Sequence, residues 1–349
     1  MIQQKWFIRL VIILGIIAGI VVFLHVPSFV HQFQTKNSIN ILVWPNVIDS
    51  THLKEFEKES GITVNLSYFE DYEELVVKMS SGSGDYDLIM ASDYTLRPLL
   101  DEGVLKRFDY SKIPFMKDIY PLIRNLPYDR EHAYTVPYSW EVFGIGIDSA
   151  AFKNGLPEAS WKTLFEGNYP VGMNDDAREI VSIAALYLFG PEKKSLNRDD
   201  LQKILALLIE HKKRVVMYTD LRTDYLIISQ AAPVVLGISS DFLYSMRKYS
   251  AVEFLIPQEG SFAIIDAFML PAQTKKDDLV YTFLTYIFQP HIVRKYAERY
   301  NFFPALQGVV TKDDRYLIEP TESLFSRLNL FSYDIPEKEL RDLWITLKS

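Results

Sequence analysis

The sequence predicts an α/β protein built as two lobes, and three observations carry that expectation. Between residues 39 and 91 short apolar runs alternate with amphipathic ones, the strand–helix order that builds a largely parallel sheet. At residues 134–138 and 142–147 two extended segments follow each other with little between them, which suits a crossover between lobes. Beyond them a second region of helices and strands begins. A chain of 349 residues is long enough for two separate cores.

Each element has its own signal. Residues 39–43 form a short apolar run, a buried-strand pattern. Leu53 and Phe56 stand at helical spacing among Glu and Lys over 50–60, and Gly61 stops them. Residues 62–68 (ITVNLSY) alternate and are rich in β-branched side chains, a strand. Residues 71–80 read as an amphipathic helix ending in the turn Ser81-Gly82-Ser83-Gly84, and 87–91 (DLIMA) as a third strand. The pattern changes after Leu126-Pro127. In the second region helices are expected at 181–189 and 201–211, and strands at 214–218, 234–238 and 252–256. Residues 263–270 are apolar apart from Asp266. Helices follow at 280–288 and 291–300, separated by Gln289-Pro290, and a last amphipathic helix covers 337–347.

The N-terminus reads differently. Lys5 and Arg9 precede an uncharged run over residues 10–24, LVIILGIIAGIVVFL. The run is shorter than the roughly 18–20 apolar residues a spanning helix needs. It fits the positive region and apolar core of a secretory signal. Val26 and Ser28 stand where cleavage requires small residues, although Pro27 between them makes a poor site. Residues 1–36 are therefore expected to be either a signal peptide or a retained membrane anchor, with a linker. In both cases the remainder lies outside the cytoplasmic membrane.

Composition narrows the function. A net charge of -8 disfavours nucleic acid as a partner, because no basic stripe is present to meet phosphates. The absence of cysteine excludes disulfides, thiolate metal sites, a cysteine nucleophile and lipid attachment behind the signal. No GxGxxG, Walker loop, H-E-x-x-H or G-x-S-x-G motif is present. The six histidines (His25, His31, His52, His132, His211 and His291) are scattered and read as solvated surface residues. No enzymatic activity, metal site or cofactor is expected.

Five local stretches, in order, carry a resemblance to a known family. They are Leu42-Val43-Trp44 with Glu57-Lys58-Glu59-Ser60-Gly61-Ile62; Tyr86-Asp87-Leu88-Ile89 with Ser92 and Tyr94; and Val136-Pro137-Tyr138-Ser139-Trp140 with Gly144-Ile145-Gly146. The last two are Asn174-Asp175-Asp176-Ala177-Arg178-Glu179 and Pro257-Gln258-Glu259-Gly260 with Asp266 and Leu270-Pro271. From about residue 39 onward, the chain resembles the spermidine/putrescine-binding proteins of bacterial ABC importers. That resemblance implies a type II periplasmic binding protein-like fold, two α/β lobes joined by two crossover segments with a ligand cleft between them. The lobes would comprise residues 37–141 and 266–311, and residues 142–265 and 312–349. Hinges would lie near 141–144 and 262–266. The implied role is a periplasmic monomer that binds a polyamine or a similar cationic amine and delivers it to a permease in the inner membrane.

A polyamine site must replace the water around each ammonium group. Carboxylates do so by charge-assisted hydrogen bonds, and aromatic faces by their quadrupole and by packing on methylenes. The resemblance assigns ammonium-holding acids to Asp176, Glu179 and Asp266, a cleft-lining aromatic to Trp44, and a polar–aromatic pair to Ser92 and Tyr94. Bland readings stand beside these. Asp176 with Glu179 three residues later is a capping-box pattern, and Trp44 suits ordinary core packing. Tyr138 and Trp140 suit packing near the hinge.

The chain also departs from the family. Pro45 and Val47 stand where Thr and Tyr belong, and Ser240 and Ile264 where aromatics belong. Phe242, Tyr244, Tyr225 and Phe262 are the nearby aromatics available to take their place. Three other readings remain open: the same fold with another small solute such as a metal ion or phosphonate, a membrane-tethered sensor or scaffold, and a membrane-anchored glycosidase. Asp176 and Glu179 are too close in sequence to oppose each other across a sugar.

Overall fold

The computed structural model describes residues 37–349 apart from 46, 49, 81–84, 126–128, 130–132, 220–221, 311–315 and 332–334. The expected signal or anchor, its Val26/Ser28 cleavage site and the 81–84 turn lie outside the described residues. Among the described residues no helix is long and apolar enough to cross a membrane.

The chain opens with strand β1 (Ser38–Val43), helix α1 (Ser50–Ser60), β2 (Thr63–Tyr68), α2 (Tyr72–Ser80) and β3 (Leu88–Ser92). β1 pairs with β2 and β3 in parallel, as the βαβαβ pattern requires. A short strand β4 (Leu105–Lys106) precedes β5 (Thr135–Asp148), a single strand of 14 residues. The sequence suggested two extended segments here. Ser139, Trp140 and Glu141 contain no Gly, Pro, Asn or Asp, and the fully buried Trp140 anchors the strand in the core, so the chain runs through without a break. β6 (Val171–Met173), α3 (Ala177–Phe189), α4 (Arg198–Lys212), β7 (Val215–Tyr218), β8 (Val234–Ile238), α5 (Ser239–Met246) and β9 (Val252–Leu255) form the second α/β region. β10 (Ser261–Pro271) returns to the first, followed by α6 (Asp277–Ile287), α7 (Pro290–Tyr300), β11 (Phe303–Pro304), β12 (Leu328–Asn329) and α8 (Glu337–Lys348).

The sheet order β2-β1-β3-β10-β5-β8-β6-β7 joins both regions. β10 pairs antiparallel with β3 on one side and with the first half of β5 on the other. The second half of β5 turns to β8 and β9. β5 and β10 are thus the two passages between lobes, and the segments expected as hinges, 141–144 and 262–266, lie inside them. One large core packs α1, α6 and α7 around Trp140, Phe268, Phe283 and Tyr296. The other packs α3, α4 and α8 around Phe143, Trp161, Ile183 and Leu236. Leu317 and Leu324 belong to the first core, and Phe331, Ile335 and Leu340 to the second. The expected boundary at 311/312 therefore falls too early. The residues beyond it still bury their apolar side chains in the first lobe, and the change of lobe comes near Phe331.

β5 carries Gly144 and Gly146 where aromatic rings lie against the strand. A Cβ at Gly146 would stand 2.0 Å from a ring carbon of Phe242, and one at Gly144 would stand 2.5 Å from Phe254. Phe242 and Phe254 stack on each other at 5.4 Å. Gly146→Ala forces the fully buried Phe242 ring to move and should destabilise the protein by about 1–3 kcal/mol. Urea unfolding checks this, and an unshifted midpoint would mean that the ring has room.

Candidate functional site

β10 places Asp266 directly opposite Ser92 of β3 and Ser139 of β5. Opposed residues of antiparallel strands point to the same face, so three polar side chains meet at the sheet centre. Ser92 donates to one carboxylate oxygen at 2.8 Å and Ser139 to the other at 3.4 Å. The register slips by one residue immediately after Asp266, a bulge that bends the strand here. Asp266 is 6% exposed. Burial pushes its carboxyl up to about 6, against the two hydroxyls that favour its charge.

Two further acids, Asp93 and Glu141, lie near it, and a third, Asp241, lies near Glu141. Asp93, buried in the turn after β3, accepts the Ile265 backbone N–H at 3.1 Å. Burial lifts it to about 7; the Ile265 N–H offsets part of this and nearby Asp266 adds to it. Glu141 lies two residues beyond Ser139 on β5, hence on the same face, and directly opposite Ile264. Its carboxylate accepts the Ser240 N–H at 3.3 Å, and burial followed by the Asp266 charge pushes it to about 8. Asp241, next to Ser240, accepts from the Thr223 hydroxyl at 2.7 Å and is raised to about 6, chiefly by burial. Among the described residues no lysine or arginine forms an ion pair with Asp93, Glu141 or Asp266. No group of three or more His, Asp or Glu among the described residues is placed to hold a metal ion.

Asp176 and Glu179 come from the other lobe, at the carboxyl end of β6. Asp176 is the N-cap of α3 and accepts the Glu179 N–H at 2.9 Å, which is the N-cap half of the capping-box pattern. Glu179 also takes a hydrogen bond from the Asn174 side-chain amide. Asn174 is 4% exposed, and its amide oxygen has no hydrogen-bond partner among the described residues. Tyr94 ties the two lobes together. It follows β3 in the first lobe, yet packs edge-on against Phe331 of the second at 6.5 Å. Its phenol is held well above its ordinary range by burial first, then by the Glu179 and Asp176 carboxylates, with Asp266 contributing less. All three expected acids therefore lie close enough to act on one side chain.

Trp44 follows β1, level with the end of β3, because Val43 pairs with Met90. It packs on Phe69 at 4.2 Å, while its buried indole N–H has no hydrogen-bond partner among the described residues. The aromatics available to replace the missing walls are otherwise engaged. Phe242 is buried over Gly146, Phe262 stacks on Phe331 at 4.5 Å, Tyr225 is exposed, and Tyr244 is held by Lys248 and Arg222. The expectation of solvated histidines fails at His211. It is 2% exposed, shares a hydrogen bond with the Leu164 carbonyl at 3.0 Å, and is pushed down to about 4 by burial. A surface depression of about 430 Å³ beside β7, lined by Tyr169, Pro170, Arg214 and Val215, shares no residue with the acids.

Sequence reasoning missed Asp93, Glu141, Asp241 and the acceptor on Asn174. Glu141, between Trp140 and Val142, resembles Asp266 as a lone acid among apolar residues, but it fell in the expected gap between two extended segments, and Asp93, flanked by Ser92 and Tyr94, carried no such signal.

Comparison with known proteins places this geometry among relatives. The profile of a family described as bacterial extracellular solute-binding protein matches residues 52–317. The putrescine-binding periplasmic protein PotF of Escherichia coli K12 is 26% identical over 310 residues, covering 83% of this chain and 81% of the relative. The spermidine/putrescine-binding periplasmic protein 1 of Haemophilus influenzae is 26% identical over 256 residues, covering 72% and 71%. Among solved structures, the spermidine/putrescine ABC transporter substrate-binding protein PotD of Streptococcus pneumoniae superposes with a TM-score of 0.77 at 22% identity, covering 89% of this chain and 98% of that one. The TpPotD lipoprotein of Treponema pallidum gives 0.77 at 22%, covering 89% and 99%.

Proposed function

Because the chain belongs to the bacterial extracellular solute-binding protein family, we propose that it binds a small organic polycation, a polyamine such as putrescine or spermidine, between its lobes. On this reading the protein works outside the cytoplasmic membrane and hands the amine to the permease of an ABC importer. It is a carrier, and no step of it breaks or forms a covalent bond. The observation that carries the reading is the set of acids from both lobes, Asp176, Glu179 and Asp266, that act on Tyr94, beside which Asp93 and Asp266 lie buried and Glu141 half-buried, none of the three paired with a lysine or arginine among the described residues. Buried carboxylates cost stability unless a cation completes them. An arriving ammonium supplies the missing charge and three donors. The matching names of PotF and its relatives support the same chemistry.

On this reading Asp176, Glu179 and Asp266 hold ammonium groups, Ser92 keeps Asp266 oriented, and Tyr94 and Trp44 line the guest's path. β5 and β10 bend as the lobes close. A guest that touches both lobes favours the closed state, because only differential contact shifts such an equilibrium. Titration calorimetry of the full-length protein tests the ligand. Putrescine and spermidine should bind with micromolar or tighter affinity, and 1,4-butanediol, which has the same carbon chain without charge, should not bind. Millimolar affinity for both amines would remove the ligand assignment and leave the family standing.

A further inference from the structure

Resting on that reading, we propose that Glu141 is itself a ligand-binding carboxylate, which with Asp266 selects guests carrying a second positive charge. Antiparallel pairing places Glu141 opposite Ile264, diagonal to Asp266 on the same face of the sheet. Diagonal neighbours in such a sheet lie about 7–8 Å apart, within reach of a long side chain. Glu141 stands opposite the half-buried Ile264 and accepts the N–H of the small Ser240, so neither of these two neighbours offers an aromatic face to pack on methylenes. At these positions the carboxylates of Glu141 and Asp266 are the groups that can recognise a guest, by charge.

An independent sign that a donor is due lies at the other end of the same cluster. The buried Asn174 commits its N–H to Glu179 and leaves its amide oxygen without a donor among the described residues. Two acidic groups on different lobes, Glu179 with Asn174 on one and Glu141 with Asp266 between the crossing strands, fit a guest with two cationic termini.

The groups facing Glu141 are Asp266 on β10 and Asp241 on α5, with Asp93 behind Asp266 and Arg222 beside Asp241. Burial first, and then the Asp266 charge, raises Glu141 to about 8 and so favours its protonated form near neutral pH when no guest is bound. An ammonium placed against it favours the carboxylate, and the released proton passes to solvent. Uptake of a diamine is thus coupled to proton release through this residue.

Calorimetry with putrescine at pH 7, in phosphate and in Tris, reads affinity and proton release together. The unsubstituted full-length chain should give buffer-dependent enthalpies. Glu141→Gln should weaken putrescine by about tenfold or more and lower the number of protons released. Glu141→Asp, which keeps the acid, should retain the release and decides the matter if the first variant does not fold. Undiminished affinity in Glu141→Gln overturns the inference, and so does weakened affinity with unchanged proton release, which would mark a structural role. Calcium displacing putrescine at comparable concentration overturns it in favour of a metal site. Failure of the unsubstituted chain to take up either putrescine or spermidine removes the underlying reading, and the inference with it.

Discussion

Asp266→Asn should weaken polyamine binding by about a hundredfold or more, and the same substitution should leave the empty protein at least as stable as before. The first effect follows from position. Asp266 lies where the two lobe-crossing strands and β3 meet, and its two hydrogen bonds come from neutral hydroxyls, which orient it without neutralising it. A buried ammonium deprived of its carboxylate loses on the order of 3–5 kcal/mol. The second effect follows from the raised carboxyl, held near 6 because burial opposes its charge. The asparagine amide has almost the same shape, keeps an oxygen for Ser92 or Ser139, and removes that penalty. Function and stability then move in opposite directions, the signature of a residue kept for its ligand. Calorimetry and a thermal melt on the same preparation read both. Unchanged affinity would falsify the placement of the guest at this carboxylate. A lower melting temperature with lost binding would make Asp266 a folding residue.

The contrast between Asp266 and Glu141 shows what the sequence could convey. Most strands and helices over 38–92 and 177–300 follow from local periodicity, with bounds that differ from those expected by only a few residues, but helix α5 (Ser239–Met246) was not expected. Asp266 was legible because it interrupts a long apolar run. Glu141 was not, because it sat in what looked like a gap between two extended segments, and only the pairing of β5 with β10 makes it part of one strand. Ser139 and Ser92 are separated from Asp266 by 127 and 174 residues, a register that no local pattern encodes. Phe242 failed in the other direction. Proximity to Ser240 suggested a substitute wall, but the glycines of β5 draw its ring into the second lobe. His211 failed for the same reason, since a histidine in the last turn of α4 looks exposed until α4 packs on Leu164. The capping pattern at Asp176 and Glu179 was sound in its N-cap half, and it coexists with their closeness to Tyr94.

Between about pH 6.5 and 8.5 the empty protein should lose roughly 2 kcal/mol of stability as pH rises. The sign comes from groups whose folded state favours the proton. Glu141 is raised from 4.5 to about 8 and Asp93 from 3.8 to about 7, both chiefly by burial. In the unfolded chain these carboxyls are already ionised above about pH 5, so in this window the native state holds more protons than the unfolded one. Stability then falls with rising pH until both have ionised. His211 acts oppositely but at lower pH. Burial depresses it from 6.5 to about 4, so the unfolded state takes up the extra proton and stability is lost as pH falls through that range. Asp241 and Asp266, both near 6, complete most of their ionisation below the window. Saturating putrescine should flatten the curve between about pH 6.5 and 8.5, because the bound guest already holds the acids in their charged form and stabilises the folded state by mass action. Chemical denaturation at a series of pH values, with and without putrescine, measures both curves. Equal slopes would separate the titrating acids from the guest, and a flat curve without ligand would mean that Glu141 and Asp93 are solvated as ordinary carboxylates.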